Sequence, residues 1–234
     1  MYEPARYPQH AVPQTSQAAG EHAAFFRQVY AFMALGLTVT GATAMLVASS
    51  EAALQIIVGN RIVFYGLLLA ELVMVWSFSS MINRISKVTA GAMFFAYALM
   101  NGLTLSVIFL AYTGESIAST FFITAGAFGA LSAYGYATKR DLTGVGSFAM
   151  MGLFGLIIAS VVNIFLQSTM LYWLTTFVGV IVFTALAAYD TQKIKQLDVG
   201  GEAGDKGAIF GALILYLDFI NLFLFMLRLL GRRK

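Results

Sequence analysis

Cysteine is absent from the 234 residues, and proline is confined to Pro4, Pro8 and Pro13. Without cysteine there is no disulfide framework, no thiolate metal site and no thiol nucleophile. With no proline beyond residue 13, no apolar run downstream carries the helix kink that proline imposes. Charge is scarce as well. The chain holds 14 Lys+Arg and 11 Asp+Glu, 11% of its residues, where a soluble domain carries roughly 25%. That is too little to cover a water-facing surface. Both histidines, His10 and His22, fall within the polar first 24 residues, so a transition-metal site in the apolar part lacks its usual ligands. What abounds is apolar: 59% hydrophobic, 14% aromatic, mean hydropathy +0.80. Disordered chains are polar and poor in aromatics, so the composition points to a helical membrane protein.

Seven stretches are long enough to cross a hydrocarbon core of about 30 Å as helices of about 20 residues: 25–49, 62–82, 88–112, 116–138, 144–166, 170–190 and 207–230. The runs are continuous rather than alternating, which favours helix over transmembrane strand. Residues 1–24 read as a disordered cytoplasmic tail, 25–230 as one seven-helix domain and 231–234 as a basic C-terminal tail. The first run is too long and starts too late for a cleaved leader. Small residues inside the spans (Gly126, Gly129, Gly152, Gly155, and the stripe Ala125, Gly129, Ala133) suit close helix packing within the bundle.

Lys and Arg sort by side. Arg6, Arg27, Arg84, Lys87, Lys139, Arg140, Lys193, Lys195 and Lys206 share one side, and the opposite loops carry Arg61. The positive-inside rule then places the N-terminus in the cytoplasm. Seven crossings put Arg232, Arg233 and Lys234 outside, against that rule; a re-entrant last segment is the alternative. The net charge of +3 is split among short loops, with no continuous basic face to neutralise nucleic-acid phosphates. All six lysines lie in loops or the tail, which excludes an intramembrane Schiff base.

Three acids remain in the apolar runs: Glu71, Asp190 and Asp218. An ionisable group at that depth costs about 2.5–3.5 kcal/mol on insertion scales and usually faces a bundle interior or a pathway. Asp190 also reads as the last residue of its helix, and Glu71 as half of a structural ion pair. Asp218 has apolar neighbours on both sides, in Leu213-Ile214-Leu215-Tyr216-Leu217-Asp218-Phe219-Ile220. Arg84–Asp190 and Glu71–Arg228 are candidate latches by depth. Asn101, Asn163 and Asn221 take the default of interhelical hydrogen bonding.

The segments Ala188-Tyr189-Asp190-Thr191-Gln192, Leu215-Tyr216-Leu217-Asp218-Phe219-Ile220-Asn221-Leu222-Phe223-Leu224 and Ser132-Ala133-Tyr134-Gly135-Tyr136-Ala137-Thr138-Lys139-Arg140-Asp141-Leu142 closely resemble the bacterial branch of the Bax-inhibitor family, the transmembrane Bax-inhibitor-motif proteins. The resemblance implies six helices around a hydrophobic seventh and a pH-sensitive calcium leak. It maps the family's aspartate pair onto Asp190 and Asp218, and its glutamate–arginine pair onto Glu71 and Arg228. Arg84 is the candidate for the arginine latch, although its spacing from Glu71 is slightly longer than the family pattern. No cofactor is implied; calcium would be a permeant ion, weakly and transiently held at Asp190 and Asp218. An association with a membrane-bound AAA protease is also implied, which offers a regulator of membrane-protein turnover as the alternative reading, with the tail as a handle.

Two carboxylates in one dry site cannot both ionise cheaply, so they share a proton and titrate as a unit. With the span limits above, however, Asp190 and Asp218 sit about 16 Å apart in depth, by a rise of 1.5 Å per residue. They meet only if the sixth helix continues past Asp190 or the seventh begins before Gly207. An aspartyl protease, the enzymatic alternative, lacks its marks here: Asp218 follows Tyr216-Leu217 rather than a Gly-x-Gly, so no enzyme is expected.

Overall fold

The computed structural model describes residues 14–197 and 201–234. The helices are α1 (Gln14–Ala48), α2 (Glu51–Ile57), α3 (Arg61–Met81), α4 (Lys87–Leu105), α5 (Ile108–Ala111), α6 (Gly114–Ala137), α7 (Thr143–Leu166), α8 (Thr169–Ile194) and α9 (Gly201–Leu230). Seven segments are long and apolar enough to cross a membrane, with α4 and α5 together forming the third. Serine, threonine or asparagine opens several of these helices. Ser50, Asn60, Ser86, Thr113 and Ser168 each accept a hydrogen bond from a first-turn N–H, which satisfies donors that the helix leaves open.

α9 is the centre. Of its most apolar window, 61% is buried, against 11% for α3 and for α7. It packs on α1, α4, α6 and α8, while α3 lies against α4 and α7 against α8. Around this core the exposed side chains are apolar, Trp76, Phe122, Phe148 and Phe165 among them. In water that would be a large sticky patch; in a bilayer it is the lipid face.

Several boundaries move from the sequence-based limits. α1 starts at Gln14 rather than at residue 25, because Gln14-Thr-Ser-Gln-Ala-Ala is helix-compatible and alanine is the best helix former; residues 1–13 of the expected tail lie outside the described residues. The third crossing breaks at Ser106–Val107 without proline. There the Ser106 hydroxyl donates to the Leu103 carbonyl at 2.7 Å. Just before it, Gly102 lets α4 cross α1 closely: a Cβ there would lie 2.7 Å from the Thr40 carbonyl oxygen.

The expected packing stripe Ala125–Gly129–Ala133 is a correction. Gly129 and Ala133 are exposed, and nothing lies within 4 Å of a Cβ on Gly129. The buried stripe is Thr120, Thr124, Phe128 and Ser132, since hydroxyls need polar partners that lipid does not supply. Of the other span glycines named, Gly152 meets a neighbour, Val182, whereas Gly126 and Gly155 face open space.

α8 runs four residues past Asp190 and α9 starts before Gly207, so both shifts that the aspartate pair requires occur. The register follows from contacts on either side. Phe183 stacks on Phe225 with ring centroids 5.7 Å apart, and an ideal Cβ at Gly211 lies 3.1 Å from Ile194 Cγ2. The antiparallel pairing this sets brings Asp190 level with Asp218. It carries a test. The protein has no cysteine, so Ile194→Cys with Gly211→Cys introduces the sole two thiols. An ideal Cβ at Gly211 lies 3.1–3.5 Å from the Ile194 side-chain carbons, so the two positions are neighbours across the interface, as a disulfide with its Cβ atoms about 3.5–4.5 Å apart requires. Oxidation is expected to give an intramolecular crosslink in most molecules, read as resistance to thiol labelling; full labelling after oxidation contradicts the register.

α9 is one unbroken helix long and apolar enough to cross a membrane, which fits seven full spans rather than a re-entrant last segment. Beyond it the chain folds back on the α5–α6 corner. Thr113 N–H donates to the Arg232 carbonyl at 3.1 Å, Lys234 N–H to the Ala111 carbonyl at 3.1 Å, and Arg232 N–H to the Ser116 hydroxyl at 2.9 Å. Phe26 of α1 stacks edge-on against Tyr136 at the other end of α6, so the start of α1 and the C-terminus lie at opposite ends of the bundle.

Candidate functional site

Asp190 and Asp218 lie seven residues beyond Phe183 on α8 and seven before Phe225 on α9. Two helical turns in opposite directions from one stacked pair bring the carboxyl groups together across the interface, within hydrogen-bonding reach of each other. Asp218 is buried and its Oδ2 has no hydrogen-bond partner among the described residues; Asp190 is half-buried. Two carboxylates offer only acceptors, so a bond between them requires one proton.

A cavity of about 1060 Å³ lies between α3 and α7 with α9 as its floor. Glu71, Asp190, Asp218 and Arg228 all line it, as do Asn101 and Asn221. Most of the remaining wall is apolar, with Leu68 contributed by α3 and Leu153 by α7.

A family model described as "Inhibitor of apoptosis-promoting Bax1" matches residues 22–234. The chain belongs to the Bax-inhibitor family. Among its relatives, inner membrane protein YbhL of Escherichia coli K12 is 47% identical over 215 residues, covering 90% of this chain and 92% of the relative. A protein of Rickettsia prowazekii is 46% identical over 217 residues, covering 90% of each chain. One of Borreliella burgdorferi is 42% identical over 214 residues, covering 90% of this chain and 92% of its own.

In this Bax-inhibitor protein neither expected latch is closed. Arg84 is exposed in the turn after α3, and the ion pair formed among the described residues is Lys87–Asp205 at 2.8 Å. α3 ends at Met81 and packs on α4 rather than α8, which carries Arg84 away from Asp190. The cation whose charge reaches Asp190 is Lys193, one turn further along α8.

Glu71 is also satisfied without Arg228. Thr104 Oγ1 donates to its Oε1 at 2.7 Å and Asn101 Nδ2 to its Oε2 at 3.2 Å. Tyr216 OH donates to Asn101 Oδ1 at 2.9 Å and shares a 2.6 Å hydrogen bond with Thr40 Oγ1. Four helices, α1, α3, α4 and α9, thus meet in one chain of hydrogen bonds. Tyr216 fixes the amide of Asn101 so that its NH₂ faces Glu71. Arg228 turns outward instead, 5.3 Å from the Phe225 ring centroid and 5.8 Å from that of Tyr172. Its long side chain snorkels toward the polar boundary.

Asn101 keeps the interhelical role expected of it. Asn163 and Asn221 do not: Asn163 Oδ1 accepts from Ser168 N–H at the α7–α8 turn, and Asn221 donates to the Leu217 carbonyl of its own helix. Thr40, Thr104 and Tyr216 escaped the sequence reading. A tyrosine two residues before Asp218 in a wholly apolar run was the available signal, since a buried phenol needs a partner. Beyond the spans, Asp141 takes two hydrogen bonds from Thr143, at 2.6 and 2.8 Å, which hold its carboxyl below the usual carboxylate range. That fixes the start of α7. Among residues 20–197 and 204–234 no group of three His, Asp or Glu side chains is placed to hold a metal ion. Calcium takes six to eight oxygens, and two carboxylates supply four at most.

Proposed function

We propose that the protein is a multi-pass inner-membrane leak, permeable to calcium and sensitive to pH, with the N-terminus in the cytoplasm. Asp190 and Asp218 are its joint proton- and cation-binding element. The meeting of these two carboxyls at the floor of a cavity that also holds Glu71 and Arg228 carries this reading. With one proton between them the pair clasps α8 to α9. With none, two like charges in a dry interface repel, and the clasp opens or takes a cation. A divalent ion held by two carboxylates and water is held weakly, which suits passage rather than storage. The basic loops 84–87, 139–140 and 193–195 lie on the side of the α1 entrance, as the positive-inside rule asks of a cytoplasmic face.

The test is calcium flux into liposomes containing the purified protein, from pH 6 to pH 8. Flux that varies with pH is expected. In the double variant Asp190→Asn/Asp218→Asn the variation is expected to disappear. Absence of flux, or a double variant with the original pH profile, refutes the reading.

A further inference from the structure

Toward the C-terminal end of the bundle the large cavity adjoins a second pocket of about 490 Å³. Tyr112 and Arg228 line both. The second is polar, with Ser160 and Asn163 from α7, Tyr172 from α8 and Arg233 from the tail. Arg233 is held in place by the backbone bonds that staple residues 232 and 234 to the α5–α6 corner. Its Nη2 donates to Tyr172 OH at 2.7 Å. Both guanidiniums stand over that tyrosine ring, Arg233 at 5.5 Å and Arg228 at 5.8 Å from its centroid. Among the described residues, the salt bridge formed within 4.0 Å is Lys87–Asp205, at the opposite end of the bundle. Two positive charges therefore share one ring, and among the described residues no carboxylate lies within 4.0 Å of either.

The depth and the surroundings identify the missing anion. Tyr172 lies in the first turn of α8, Asn163 in the last turn of α7, and Arg233 just past α9, which is the polar boundary of the spans. Phe165, Met170 and Trp173 beside it are exposed to lipid. A dissolved anion would need the polar pocket alone. This one continues into a groove between α3 and α7 whose sides are apolar, Leu72, Val75, Leu153 and Ile157 among them. We propose that the pocket binds an anionic phospholipid of the leaflet on the C-terminal side. Its phosphate sits between Arg228 and Arg233, and one acyl chain lies along the α3–α7 groove. Arginine suits a phosphate through its paired N–H donors. A zwitterionic lipid brings its own cation against two guanidiniums and is disfavoured. The acyl chain shares the cavity that the leak reading uses, but lipid binding is measured without flux, so the two readings fail separately.

The test titrates purified protein with phosphatidylglycerol or phosphatidylcholine of matched acyl chains, with bound lipid counted by native mass spectrometry. Phosphatidylglycerol is expected to bind at least tenfold more tightly. Arg233→Gln, in the exposed tail, is expected to abolish that preference, and Arg233→Lys to restore part of it. Lys139→Gln, at the other end of the bundle, is expected to keep all of it. Equal affinity for the two lipids overturns the proposal, as does an Arg233→Gln protein, folded by thermal melting, that keeps the preference. Inorganic phosphate binding as tightly as phosphatidylglycerol overturns the lipid assignment in favour of a free anion.

Discussion

Leucine in place of Gly135 is expected to prevent α6 and α8 from closing on each other. A Cβ on Gly135 would press on the Ala188 carbonyl oxygen and lie 2.9 Å from its carbon. The obstacle is backbone, so no rotamer change relieves it; the helices must part. One turn away Thr191 Oγ1 donates to Ser132 Oγ at 3.2 Å, and that bond would be lost with the contact. Overpacking a core typically costs about 1–3 kcal/mol, and a clash with a neighbouring helix backbone belongs at the upper end, about 3 kcal/mol or more. Gly129→Leu is the control. It lies on the same helix facing open space, where a substitution shifts stability by about 0.5 kcal/mol or less. Thermal unfolding in detergent separates the two: a large drop for Gly135→Leu, little change for Gly129→Leu. Equal stability of the two variants would show that the α6–α8 crossing is not as close as described.

The same crossing shows which parts of the fold the amino-acid pattern announces. The number of spans is legible because hydrocarbon thickness sets a length and scarce charge sets the composition. Boundaries at the ends of α8 and α9 are not, because hydropathy falls where polar residues begin, whereas the helix ends where its hydrogen bonds do. Asp190, Thr191, Gln192 and Lys193 look like the close of a span. In the structure each of the first three makes a tertiary contact. Asp190 meets Asp218, Thr191 meets Ser132, and Gln192 takes the Leu142 N–H and donates to the Arg140 carbonyl, both at 2.8 Å. These residues extend the helix rather than end it. The motif is therefore dense in tertiary contacts, which no periodicity reveals.

The site divides along similar lines. Acids in an apolar run are visible because they are energetically out of place. Their partners are not, since the reach of a long side chain depends on neighbours that lie far away in the chain. Depth and the family resemblance both matched Glu71 with Arg228. Thr104 and Asn101, on an adjoining helix at the same level, reach the carboxylate first, and the Tyr172 and Phe225 rings draw the arginine away.

Under the leak reading, calcium and protons compete for the same oxygens at Asp190 and Asp218, so the pH at which flux changes is expected to fall as calcium rises. A ligand that binds only the proton-free pair stabilises it by about 1.4 kcal/mol at tenfold excess over its dissociation constant. That equals about one pH unit for one proton released. The midpoint of the pH profile should therefore drop by about one unit at that excess, and by about one more for each further tenfold of calcium. Potassium at the same ionic strength, which lacks the second charge, is expected to leave it in place. Asp218→Asn separates the pair from other sources of pH dependence. Asparagine matches aspartate in shape, and its amide donates to Asp190 at every pH, so the clasp no longer needs a shared proton. The variant should fold, lose the pH dependence of flux and lose the effect of calcium on it. A midpoint unmoved by calcium, or an Asp218→Asn profile that follows the original, would show that the two carboxyls are neither the proton site nor the cation site.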